Sequence, residues 1–415
     1  MSGDQRRVLE GHSRLPLVLG SEAVTAAGLT FLGGRLSAAP DASVGQLYST
    51  SYFYRPVTEQ LALIYSGINQ TLAELDLGVK DLLRVDSTVT HRDHVSSYRE
   101  QRPRYLDGHR PTSTAVRVAR LITPEPVIQL TPIAVSPSDH GETQVIDSPA
   151  MAVHSPDAFS KGLKRGGWLF VSGATASAHS RDVGNPYGLA DEAAPDENYW
   201  AQSAIKLQTK YVLSTKIRGV LESAGLGLHN IVRANVFLTD CERDLGPFSE
   251  EWLNLFQGEP PATIIAPVDG LGLKAARIEI SVIAYEAQGD IVRVSGSPAD
   301  QTLPGCPVAV RAGGLVWCSS VADLSGDSAP GGQGETELPR TLNHLERVLA
   351  AAGAGLDTLV FAGLYAHNVA RAAELVAELT SRSTTELPAI SFTGVDAKFY
   401  GDSTTMCVDA VAVAG

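Results

Sequence analysis

Apolar positions along the chain switch between two periods, and the switching itself repeats. Residues 167–173, GWLFVSG, are an apolar run closed by Ser172-Gly173, which predicts a strand whose last glycine lets the backbone bend or approach a ligand. Leu213, Ile217 and Leu221 then recur at i, i+4 and i+8, the spacing of one buried helix face, and Ala224-Gly225 supplies a left-handed cap. IVRANVFLTD (231–240) reads as a strand and FSEEWLNLF (248–256) as a short helix. PPATIIAPV (260–268) and ARIEISVIAYE (276–286) read as two more strands.

The order β, α, β, α, β, β occurs twice more. Upstream it runs through GLTFLGGRLS (28–37), a helix with the stripe Leu61, Ile64, Ile68 and Leu72, LLRVDSTVTH (82–91), a helix near 93–101, STAVRVARLI (113–122) and PVIQLTPIAV (126–135). Downstream it runs through GGLVWCSSVA (313–322), a helix with Leu342, Leu345 and Leu349, TLVFAGLYAH (358–367), a helix from Ala370 to Leu379, PAISFTGV (388–395) and TTMCVDAVAV (404–413). The chain therefore divides into an extension (1–27), a first repeat (28–135), a linker (136–165), a second repeat (166–286), a linker (287–312) and a third repeat (313–415). Within the linkers, rich in Pro, Gly, Ser and Asp, AMAVHSP and DIVRVSG are candidate edge strands of the copy that follows.

Composition narrows the function more than the fold. A length of 415 residues exceeds one ordinary core, and 44% hydrophobic with 19% charged residues is a globular balance. The formal charge of −13 argues against a broad nucleic-acid or anionic-lipid surface, so an anionic ligand must be met by a local arginine or by backbone amides. Cys241, Cys306, Cys318 and Cys407 lack any metal-binding spacing and read as buried thiols; no metal or cofactor is expected. The polar start MSGDQRRVLEGHSR and the absence of a long apolar run lead us to expect a cytoplasmic protein without a membrane span.

LFVSG, the helix end LESAGLG, RANVFLTD, Pro261-Ala262 and RIEISVIAYE, in that order, resemble the RidA/YjgF/YER057c family. VRVARLI with IAV, and LERVLAAAGAGLDTLV with LPAISF, extend the likeness to the outer repeats. The resemblance implies three tandem α+β domains, each a sheet with helices packed on one face as in chorismate mutase-like folds, forming an intramolecular pseudo-trimer. It further implies ligand clefts between units, a small-molecule substrate bearing a carbonyl or carboxylate, imine or enamine hydrolysis, and a chain that is monomeric or a low-order oligomer. Ser172-Gly173-Ala174-Thr175-Ala176-Ser177 is also similar to a chorismatase segment, which adds enol-ether hydrolysis.

The family's carboxylate-gripping arginine after Pro-Ala falls on Ser113, Thr263 and Ile390, so every copy lacks it. The family's acid in the last strand falls on Thr131, Ser281 and Asp409, leaving Asp409 as the one candidate acid. Ser172, Gly173 and Thr263 are expected at a ligand cleft. Arg35, Arg117 and Arg120 are candidate replacement anion contacts, each equally readable as a surface or salt-bridging arginine. His179, in a long loop (177–200) with Tyr199 as a candidate aromatic wall, is the candidate general acid/base. A non-catalytic binding protein is the alternative reading.

Overall fold

The computed structural model describes residues 6–10, 17–37, 56–151, 158–178, 188–196, 198, 201–324, 337–397, 399 and 404–415. Three units share one sheet order. In the second, Gln144–Ile146, Gly162–Arg165, Trp168–Thr175, Ile278–Tyr285, Ile231–Leu238 and Ala262–Pro267 lie side by side; all neighbours are antiparallel except the last pair. That parallel pair requires a crossover, which the helix Cys241–Leu255 provides. The first and third units repeat the arrangement, ending in the parallel pairs of Leu82–Val89 with Ala115–Arg117 and of Leu359–Ala366 with Ala389–Gly394. This is the α+β fold expected from the alternating pattern.

Each unit's central hairpin turns through two residues of positive φ: Ala27-Gly28, Gly166-Gly167 and Gly313-Gly314. Such turns match the natural twist of paired strands, and glycine occupies five of the six positions. The same turn in three places is independent evidence of repetition.

Strand alternation gives every sheet two buried faces. In Ile278–Tyr285, Ile278, Ile280, Val282 and Ala284 pack under the helices of the second unit with Leu213, Ile217, Leu221 and Trp252. Ile283, on the opposite face, joins a core to which all three units contribute, including Phe31, Trp168, Trp317 and Phe361. The sheets thus meet around a common pseudo-threefold axis with helices outside. Trp317 makes ring contacts with Phe31 at 6.0 Å and Trp168 at 5.5 Å, so one aromatic cluster joins the three units.

The units begin upstream of the boundaries drawn from the sequence. Arg7–Leu9 and Ala23–Ala26 are strands within the extension, and the opening strands of the second and third units lie within the linkers. Strands of three or four residues carry too few alternations to show a period. Among the described residues no helix is long and apolar enough to cross a membrane, and no His/Cys/Asp/Glu group could hold a metal ion. All four cysteines are free and buried; burial pushes the thiols of Cys241, Cys306 and Cys318 up to about 12.

Candidate functional site

The pairing of Trp168–Thr175 with Ile278–Tyr285 is interrupted by a bulge between Val171 and Ala174. A bulge frees backbone groups for another partner. Here the Gly173 amide donates to the Ser113 carbonyl of the first unit at 3.0 Å, and the Ser113 amide donates to Ser172 Oγ at 2.9 Å. The other two joins repeat this geometry. The Ser320 amide donates to the Thr263 carbonyl at 3.1 Å, and the Gly34 amide donates to the Ile390 carbonyl at 2.9 Å. The predicted opening strand of each unit, through Gly34, Gly173 or Ser320, thus meets the Pro-Ala position of its neighbour, producing three pseudo-equivalent clefts.

The clefts differ in what stands at their centre. Strand register makes Glu279, Cys407 and Gln129 equivalent, two residues before Ser281, Asp409 and Thr131 respectively. In the first cleft Glu279 is buried beside Gly173; a Cβ on Gly173 would collide with Glu279 Oε1 and lie 2.8 Å from Thr114 Cγ2. No described residue forms a hydrogen bond or ion pair with the Glu279 carboxylate. Burial raises its pKa to about 7, against the opposing pull of Arg99; Asp86 adds to the rise, and Arg84 and Lys216 oppose it.

Lys216 lies on a π-helical turn, Val212–Ile217, between the α-helices Ala204–Tyr211 and Arg218–Ser223. Such turns occur frequently at functional sites. Its ammonium donates to Ser177 Oγ at 2.9 Å, and burial lowers its pKa to about 8. Arg84 closes the inner end of the cleft, with Nη2 bonded to Ser281 Oγ (2.5 Å) and Thr114 Oγ1 (2.9 Å) and Nε to Asp86 (2.6 Å). Outside, a groove of about 660 Å³ runs between the helix Arg92–Gln101 of the first unit and residues 269–276 of the second, with Arg99 and Arg117 in its wall.

Several expected site residues serve the structure instead. Arg35 is buried against Glu22, with a further bond to Thr71 Oγ1 at 2.9 Å, so it does not offer its charge to a ligand. Thr263 Oγ1 donates to the Pro261 carbonyl and accepts from Trp252 Nε1 at 3.1 Å, so the hydroxyl is occupied within its own unit, while the Thr263 amide donates to Ser319 Oγ of the third unit at 3.1 Å. Ser172 Oγ is likewise occupied, donating to the Ser160 carbonyl at 2.7 Å. Asp409 faces Arg233 of the middle unit in a buried ion pair, so the one acid surviving at the family's position is neutralised. Arg120 bridges to Asp396 and the His367 carbonyl of the third unit. Gly173 and Arg117 do border the first cleft and its groove. His179 and Tyr199 lie outside the described residues.

Glu279, Lys216 and Arg99 were missed. A signal existed for two of them: Glu279 is an acid inside an apolar strand and shares a face with Ser281, and Lys216 interrupts an apolar helix stripe next to Ile217.

Comparison with known proteins places a family match on the middle unit. Residues 150–286 match the family model described as Endoribonuclease L-PSP. A RutC family protein of Pyrococcus horikoshii is 28% identical over 128 residues, covering 31% of this chain and 86% of its own. The mitochondrial protein mmf2 of Schizosaccharomyces pombe is also 28% identical, over 130 residues, 31% of this chain and 87% of its own. Among solved structures, RidA from an Antarctic Psychrobacter is 25% identical, with a TM-score of 0.26 over 34% of this chain and 98% of its own. A chorismatase covers 80% of this chain and 93% of its own with a TM-score of 0.50 at 13% identity, a likeness of fold.

Proposed function

We propose that the chain, whose middle repeat matches the Endoribonuclease L-PSP family model, is an enzyme hydrolysing an imine, enamine or enol ether of a small carboxylate metabolite at the cleft between its first and second units. The observation that carries this reading is the buried Glu279 carboxyl with its pKa near neutrality. A group that titrates close to the working pH is suited both to give and to take a proton. Glu279 protonates the substrate nitrogen or the enol carbon, water adds to the resulting electrophilic carbon, and the carboxylate takes back a proton as ammonia or an alcohol departs. From an imine or enamine the carbonyl product keeps the whole carbon skeleton; from an enol ether the skeleton divides between the carbonyl product and the alcohol.

Arg99 supports carboxylate recognition. It lines the groove, and its charge acts on Glu279, so an anion held there lies beside the acid. This offers a replacement for the family's arginine after Pro-Ala, absent here in all three copies. The chorismatase fold likeness favours inclusion of an enol ether among the substrates tested. We assign the protein to the cytoplasm as a monomer or low-order oligomer, with a small molecule as its partner; the charge of −13 disfavours RNA as substrate.

The test is turnover of chorismate and of a panel of imines generated in situ from amino acids, using wild type and Glu279→Gln. We expect hydrolysis of at least one class and its loss by about 10²–10⁴-fold in the variant. Wild-type protein that leaves both classes unchanged would overturn the catalytic reading in favour of ligand binding alone.

A further inference from the structure

Buried polar atoms without a hydrogen-bond partner among the described residues converge on a second place. Arg84 Nη1, Thr88 Oγ1, Gln129 Oε1, Trp317 Nε1 and Asp409 Oδ1 are all unpartnered, and all five side chains line one cavity of about 80 Å³ on the pseudo-threefold axis. A buried polar atom is costly to leave without a partner, so five around one space constitute a built polar site. Glu279 does not line this cavity. Arg84 stands between it and the cleft, using Nη2 on the cleft side.

The donor and acceptor set defines what fits. Arg84 and Trp317 present N–H donors, Gln129 and Asp409 present acceptors, and Thr88 can do either. The charged lining groups are already matched, Arg84 with Asp86 and Arg233 with Asp409, so a ligand of net charge would unbalance a buried site. Much of the remaining wall is apolar, with Phe31, Ile283 and Val411 among it. A volume of this order holds about five waters or one molecule of a few heavy atoms.

We propose that the axial cavity is a second ligand site, which binds a small zwitterionic amino acid. Its carboxylate is received by Arg84 Nη1 and Trp317 Nε1 and its ammonium by Asp409 Oδ1 and Gln129 Oε1, with a short apolar side chain toward Phe31 and Ile283. The site belongs to the fused chain because the three repeats supply different residues to it. In an assembly of identical subunits the same positions would carry three copies of one group.

Isothermal titration of the full chain with L-alanine, propionate, ethylamine and L-tryptophan tests the proposal. L-Alanine is expected to saturate at one site per chain, with propionate and ethylamine at least about tenfold weaker and L-tryptophan excluded by size. Trp317→Phe, which keeps the ring and removes the donor, is expected to weaken L-alanine by about tenfold. Thr88→Val, a near-isosteric change at a different wall, provides a second variant should the first perturb folding. Glu279→Gln is expected to bind L-alanine as wild type does, which separates this site from the cleft. Absence of saturable L-alanine binding, wild-type affinity in both cavity variants, or a crystal grown with L-alanine that shows only waters bridging the five atoms would overturn it.

Discussion

At the scale of single residues, burial displaces two titrations at the first cleft. Glu279 moves up to about 7 in the folded chain from an ordinary 4.5, and Lys216 moves down to about 8 from 10.5. If Glu279 acts as the acid, kcat/KM should hold below pH 7 and fall tenfold per unit above it. Glu279→Gln should abolish that limb in any residual rate. Stability gives a second readout with its own sign. A carboxyl raised on folding leaves the folded state favoured at pH below 4.5, and the advantage is lost as pH rises through 7; the full difference is about 3 kcal/mol. Glu279→Gln should therefore raise the urea midpoint at pH 8 and change it little at pH 4.5. Lys216, lowered on folding, penalises the folded state below pH 8, and that penalty disappears between pH 8 and 10.5. These residues were hard to read from sequence for a physical reason: the acid moved two places along a strand, which preserves its face but breaks alignment with a motif. Lys216 is a charged residue beside a buried helix stripe, and only the packed helix buries it.

At the scale of elements, the bulge at Ser172-Gly173 does two jobs, lending an amide to the first unit and leaving space for Glu279. Gly173→Ala tests whether that space matters. The added methyl meets the end of a flexible carboxylate and the Thr114 methyl, so overpacking should cost about 1–3 kcal/mol, while turnover should fall far more than stability as Glu279 is displaced. A thermal midpoint measured with steady-state rates separates the two; equal losses would mean that the bulge only holds the units together. Helices and long strands were legible from their periods, and the expectation that Gly173 lies at a junction between units is met by its bond to Ser113, with like bonds at the other two joins. Of the short opening strands, Val292–Val294 falls inside the candidate edge strand DIVRVSG; the others were not legible, because their place is fixed by pairing with the hairpin that follows, a tertiary cause that leaves little mark on three or four residues.

At the scale of the whole molecule, equivalent clefts carry different residues at their centres. The first keeps glycine and a titrating acid. In the second, Ser320 replaces that glycine and its Oγ accepts the Ile265 amide at 2.9 Å, while Arg233 and Asp409 form a buried pair across the join. The third places Gln129 beside Gly34 where Glu279 would stand. This division of labour predicts that the second cleft can be altered without loss of turnover at the first. Asp409→Ala leaves Arg233 buried and uncompensated, a change that costs about 3–5 kcal/mol, whereas replacing both partners with apolar residues of similar size is about neutral. Urea unfolding of Asp409→Ala and of Arg233→Met with Asp409→Leu should show this reversal, and both should retain wild-type kcat where they remain folded. Loss of kcat in the restabilised double variant would place chemistry at the second cleft and remove the asymmetry from which the first was chosen.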